Sequence, residues 1–89
     1  MGTFRLLIKD AVADYAVIEE CVVEGESIFD LALAERTRRE RAGAIIEGGA
    51  LYSNSPSFGE RIAFLCHGPG LGERHQVVFS TFDPVGVAP

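Results

Sequence analysis

The segment from Ser27 to Arg41 constrains the fold more than any other part of the chain. It begins as a core-facing helix. The Ser27 hydroxyl can accept a hydrogen bond from a free backbone N–H of the first turn, and Asp30 stands three positions on, as in a capping box. Asp30 suits the positive end of the helix dipole and the arginines suit the negative end. Gly43 is the natural stop. With a turn of about 100° per residue, Ile28, Phe29, Leu31, Ala32 and Leu33 form a broad apolar face. Further along that face come Glu35, Arg36 and Arg39, so the apolar stripe lasts only about two turns. Arg36, Arg38, Arg39 and Arg41 point in different directions around the axis. This half of the helix is expected to project beyond the sheet edge or to press against acidic groups.

A helix with one short apolar face needs a sheet to cover, and the flanking sequence supplies strands. Phe4, Leu6 and Ile8 alternate with Arg5 and Lys9, the pattern of a strand with one buried face. Asp10–Asp14 reads as a turn. Tyr15–Val23 is rich in β-branched residues and reads as a second strand closed by Gly25. Its rival is a helix, since Val12, Tyr15, Ile18 and Val22 also share a helical face. After Gly43, Ala44–Glu47 and Ala50–Ser53 flank Gly48-Gly49, which reads as a tight hairpin whose turn needs positive φ. Asn54–Gly59 reads as a loop, Arg61–His67 and His75–Phe82 as the last two strands, and Gly68–Glu73 as the connection between them. Asp83–Pro89 reads as a loose tail. The expected fold is α+β: one domain over residues 1–89, a single helix on an antiparallel sheet in the order β-β-α-β-β-β-β, with a β-grasp arrangement as one candidate topology.

Strands Arg61–His67 and His75–Phe82 are apolar on both faces, as Ile62, Phe64 and Cys66 alternate with Ala63 and Leu65. Such strands want cover on both sides, and one helix covers only one. Part of the sheet is therefore expected to be buried in a homo-oligomer or against another protein, with Tyr15–Val23 or the tail as the alternative cover.

Charge separates the possible partners. The chain has a net charge of −5, and four of its eight basic residues fall within Arg36–Arg41. Its first thirty residues hold Asp10, Asp14, Glu19, Glu20, Glu24, Glu26 and Asp30 against Arg5 and Lys9. That acidic portion repels nucleic-acid phosphates and favours basic partners. The arginines have two readings. In one they form a solvated helix end held by spaced Glu–Arg pairs and by Glu19, Glu20 and Glu24. In the other they grip a carboxylate-rich or phosphate partner. The candidate partner-binding residues are Glu19, Glu20, Glu24, Arg36, Arg38, Arg39 and Arg41. Direct nucleic-acid binding is disfavoured by the overall charge.

Catalytic and metal chemistry find little support. Cys66, His67 and His75 flank the glycine loop, yet their spacing matches no zinc motif, so no metal and no cofactor are expected. Cys66 and His67 are adjacent in a strand and face opposite sides, which disfavours a Cys–His nucleophile. The glycine loop leads into a strand, where a phosphate loop would lead into a helix, and Pro69 removes one N–H donor. Glu19 and Glu20 point apart as neighbours in a strand. No enzymatic activity is expected.

Two cysteines give no disulfide framework. Met1–Lys9 lacks a charged start followed by a long apolar run, and no apolar stretch approaches the roughly 20 residues that span a bilayer. A cytoplasmic protein with free thiols is expected. The expected function is that of a small acidic protein-interaction domain: an inhibitor, adaptor or regulator, working as a homo-oligomer on a partner whose basic surface normally binds nucleic acid. Phage-type inhibitors of bacterial defence and toxin-neutralising proteins are of this size and charge. The alternative is a small-ligand- or metal-binding domain built on Cys66, His67, His75 and the glycine-rich loop.

Overall fold

The computed structural model describes residues 2–81. The segment read as a tail, Asp83–Pro89, lies outside the described residues. The elements in chain order are β1 (Gly2–Asp10), β2 (Ala16–Gly25), α1 (Ile28–Arg41), β3 (Ile45–Ser55), β4 (Gly59–His67) and β5 (Arg74–Thr81). All five strands form one sheet in the order β2-β1-β5-β4-β3, with every neighbouring pair antiparallel. The α+β class and the single helix on an antiparallel sheet are as expected. β5 is the central strand, and the first strand β1 pairs with it antiparallel.

Local chemistry sets the element ends. Asp10 closes the β1–β2 turn: its Oδ1 accepts from the N–H groups of Val12 and Ala13, and its carbonyl accepts from Ala13 and Tyr15. Ser27 Oγ accepts from the Asp30 N–H at 3.1 Å, the N-cap bond expected of it. At the other end Gly43 adopts φ +103, the Ala44 N–H donates to the Arg39 carbonyl and the Gly43 N–H to that of Glu40. This pair of bonds is a Schellman stop, and the left-handed residue it needs is the glycine.

One expectation is corrected. Ala44–Glu47 and Ala50–Ser53 do not form a hairpin about Gly48-Gly49. They belong to the single strand β3, so three strands follow the helix. Residues Ile45–Glu47 pair with Leu65–His67, and Leu51–Ser55 with Gly59–Ala63. Between them the register slips, and Gly48 at φ +63 takes up the extra chain as a bulge. The actual hairpin turn is at Pro56–Phe58.

Side-chain alternation gives the sheet two unlike faces. Phe4, Leu6 and Ile8 of β1, Ile62 and Phe64 of β4, and Val77 and Phe79 of β5 point to α1 and meet Ile28 and Ala32. Cys21, Val23, Leu31, Ile46 and Ala50 rim this core. Each such side chain, fully buried, contributes about 1.5–3 kcal/mol. The helix touches β2, β3, β4 and β5 as it carries the chain from one sheet edge to the other. Near its start Phe29 stacks on Tyr52 with ring centroids 4.7 Å apart. The opposite face has no helix over it among the described residues.

Candidate partner-binding surface

Among the described residues, the strand order makes β2 an outer strand, paired only with β1. Its Glu19–Gly25 run pairs with β1 without interruption, and the one irregularity lies beyond it, at Ile18. The other outer strand, β3, is broken by its bulge. β2 therefore presents the longer regular row of outward N–H and C=O groups in the sheet. Such a row is a template for another strand unless charge or shape blocks it. Glu19, Glu20 and Glu24 are all exposed, and β2 carries no base.

The three glutamates do not share one face. Glu20 and Glu24 stand with Val22 on the side away from the helix, and Glu19 stands with Cys21 and Val23 on the helix side. A period of two separates them. Glu20 accepts from Arg5 Nε across the β1–β2 pair. Glu19 acts through its charge on Arg38. What they share is the edge, which all three flank.

The arginines are divided more sharply. Arg39 does not overhang the sheet. Its side chain is 12% exposed, its Nε donates to Glu35 at 2.6 Å, and its Nη1 lies 3.6 Å from Cys66 Sγ and 3.4 Å from His75 Nδ1. Of the two expectations for this half of the helix, projection beyond the sheet edge is corrected for Arg39, and contact with an acidic group is what Arg38 and Arg39 make through Glu35. The aliphatic stem of an arginine can lie on an apolar sheet while its head reaches polar atoms at the sheet end. Arg36 continues the same inward stripe, and its Nε is buried without a hydrogen-bond partner among the described residues. Arg38 is exposed and bonds Glu35 with Nε and Nη2. Burial works to raise the Glu35 carboxyl, but the hydrogen bonds and charges of Arg38 and Arg39 outweigh it and hold the group below the ordinary carboxylate range. The Glu35 bond and charge in turn raise the Arg38 guanidinium. Arg41 is exposed. Two of the four arginines are therefore tied to Glu35, and only Arg38 and Arg41 face solvent.

The cysteine–histidine grouping is also divided. Cys66 and His75 are direct register partners on the helix face, and Cys66 is fully buried. His67 is on the other face, where its Nε2 lies 2.6 Å from Glu47 Oε2, and Arg74 Nε donates to the same oxygen at 2.8 Å. Among the described residues no three His, Cys, Asp or Glu side chains stand together as a metal site. Both cysteines are free thiols. Beside the glycine loop an open groove of about 410 Å³ is lined by Val12, Ile45, His67, Leu71 and Arg74, among others. His67 and Arg74 in its wall already face Glu47. The Glu73 carboxylate turns inward to accept from the Gly70 N–H at 2.8 Å, which makes it a clamp on the loop.

The spacing in the sequence already paired Glu35 with Arg38 and Arg39, but it did not show that the Glu35–Arg39 pair is mostly buried, nor that the apolar margins of the open face are exposed. The first required the helix end to lie over β4 and β5, where Arg39 meets Cys66 and His75. The second depended on knowing that β2 and β3 are the outer strands. No described helix is long and apolar enough to cross a membrane. No protein-family model matches the chain, and no curated protein and no solved structure matches it.

Proposed function

We propose that the chain is a small acidic protein-interaction domain without enzymatic activity, acting as an inhibitor, adaptor or regulator of a basic partner protein. The observation that carries this reading is the β2 edge: an outer strand regular over Glu19–Gly25, flanked by Glu19, Glu20 and Glu24 and free of basic residues. Main-chain hydrogen bonds along an added strand supply affinity, and the glutamates select for lysine or arginine at alternate positions of the guest. A partner segment that normally neutralises nucleic-acid phosphates has that chemistry. An inhibitor of bacterial defence or a neutraliser of a toxin would work by occupying such a segment.

Arg38 flanks this surface from the helix side, close enough to Glu19 to feel its charge, and Arg41 is the other exposed arginine of the helix. They hold an acidic group of the partner and so fix its register. Arg36 and Arg39 belong to the fold, not to the interface.

The test is capture of partners from the native host by the immobilised chain, in parallel with a Glu19→Lys/Glu20→Lys/Glu24→Lys variant. The reading expects a partner that is retained at low salt, released at high salt and lost with the variant. Equal retention by both forms at both salt concentrations would remove the acidic edge as the binding surface.

A further inference from the structure

We propose that the sheet face opposite α1 is the interface of a homodimer in which two copies stack sheet on sheet. This surface is distinct from the β2 edge: stacking uses the side chains that stand off the sheet, and it leaves the outward backbone of β2 open in each copy.

Apolar patterning comes first. The open face has Val22 and Val17 at its β2 margin and Leu51 and Ile45 at its β3 margin, and all four are exposed, Val22 at 60% and Leu51 at 76%. Between them Leu7 and Leu65 are half-buried, and Ala63 and Val78 lie buried beneath their neighbours. Among the described residues no helix covers this side and its margins stay exposed, and sheets packed face to face bury such residues in an interlayer about 10 Å thick.

Charge then selects the occupant. The chain as a whole has a net charge of −5. The open face carries Arg5, Lys9, Arg61 and Arg74 against Glu20, Glu24 and Glu47, so it is close to neutral. Arg5 already bonds Glu20, and Arg74 bonds Glu47. Two acidic copies repel each other across most of their surfaces, and here that repulsion is absent. A strongly basic or acidic partner would find no complementary field on this face.

Area completes the argument. Five strands spaced about 4.8 Å apart, with about eight residues each at about 3.3 Å, present roughly 650 Å² in projection. Two such faces bury roughly 1,300 Å² together, within the range of about 1,200–2,000 Å² found for specific stable interfaces. A two-fold axis makes the contact self-complementary and closed, so stacking stops at two copies.

Sedimentation velocity of the full chain over a roughly hundredfold concentration range tests this. The expected species has about twice the chain mass of 9.6 kDa. A Val22→Glu/Leu51→Glu variant should run as a monomer, with the dissociation constant raised at least about 100-fold. Leu33→Glu, on the outer side of α1, should leave the dimer unchanged. Leu51→Lys alone gives the same direction if the double variant does not fold, as circular dichroism will report. A full chain that stays monomeric throughout, or a dimer that survives the open-face changes and is lost with Leu33→Glu, would overturn the proposal. So would a full chain that is monomeric and a chain ending at Thr81 that dimerises, because the face would then belong to the protein's own C-terminal segment.

Discussion

Glu35→Gln should cost this protein more than any other single change on the helix surface. The change removes the carboxylate that holds both Arg38 and Arg39. Glu35 and Arg39 are each only 12% exposed, so Arg39 would keep its charge in a largely desolvated place, with Cys66 Sγ and His75 Nδ1 as its remaining neighbours. Removing one partner of a fully buried ion pair costs about 3–5 kcal/mol, and an exposed pair is worth about 0.2–1 kcal/mol. This pair keeps a route to water through Arg38, so the expected loss is about 1.5–2.5 kcal/mol. In a domain of this size that lowers Tm by roughly 6–20 °C. Arg39→Met keeps the aliphatic cover and should cost only about 1 kcal/mol. The double variant should then lose about 1 kcal/mol less than the two single losses added, because the stranded charge is gone. Urea titration monitored by circular dichroism measures all three. The pH dependence follows from the same contact. The folded-state value for Glu35 is depressed, so its stabilisation is complete above the ordinary carboxylate value and is lost as pH falls through the lower folded-state value. The Glu35→Gln protein should therefore show a flatter acid limb. A Glu35→Gln loss below about 0.3 kcal/mol, or strict additivity with Arg39→Met, would refute this account of the charged half of the helix.

Three further outcomes are expected. Gly59→Ala should lose about 1–2 kcal/mol in a thermal melt, because Gly59 has φ +73 and a methyl there would run into the Thr81 hydroxyl; an unchanged Tm would contradict that packing. A thiol reagent under native conditions should modify Cys21, which is part-buried, well before Cys66, whose reaction should wait for unfolding; equal rates would show that the sheet end under Arg39 is open. Ser27→Ala should cost about 1 kcal/mol by leaving the Asp30 N–H without its cap, and Ser27→Asp should recover most of it; a melt in which Ala and Asp behave alike would remove the cap from the account.

The helix was legible in the sequence to within a residue because both its ends are signalled chemically, by Ser27 and by Gly43. β1 was legible from alternation, and β4 and β5 from short runs apolar on both faces on either side of the glycine loop. Gly48-Gly49 misled because a hairpin turn and a bulge both need positive φ. Only the pairing of Ile45–Glu47 and Leu51–Ser55 with the same strand decides between them, and that is a long-range fact. Arg39 misled because charge on a sheet-facing stripe was taken to exclude contact with the sheet. Glu35 lies one turn away on the same stripe and cancels the charge locally, while His75 and Cys66 meet the guanidinium from a distant strand. The candidate glutamates were placed on the correct element. Their division between two faces follows from the period of two once β2 is a strand, and their common position at an edge required the strand order. Glu47, His67 and Arg74 come together only because β3, β4 and β5 are neighbours, so their cluster had no local signal.

Hydrogen exchange on the captured complex tests the central claim most directly. In the free chain the outward amides of Glu19–Gly25 have no strand partner among the described residues and should exchange early, while those of the inner strands β1 and β5 exchange last. The stacked dimer leaves this edge uncovered, so dimerisation alone does not slow it. With the partner bound as an added strand, alternate amides of Glu19–Gly25 should slow at least about 100-fold, and the effect should vanish when Glu19, Glu20 and Glu24 are reversed to Lys. Protection confined to other surfaces, with the β2 amides exchanging as in the free chain, would contradict it.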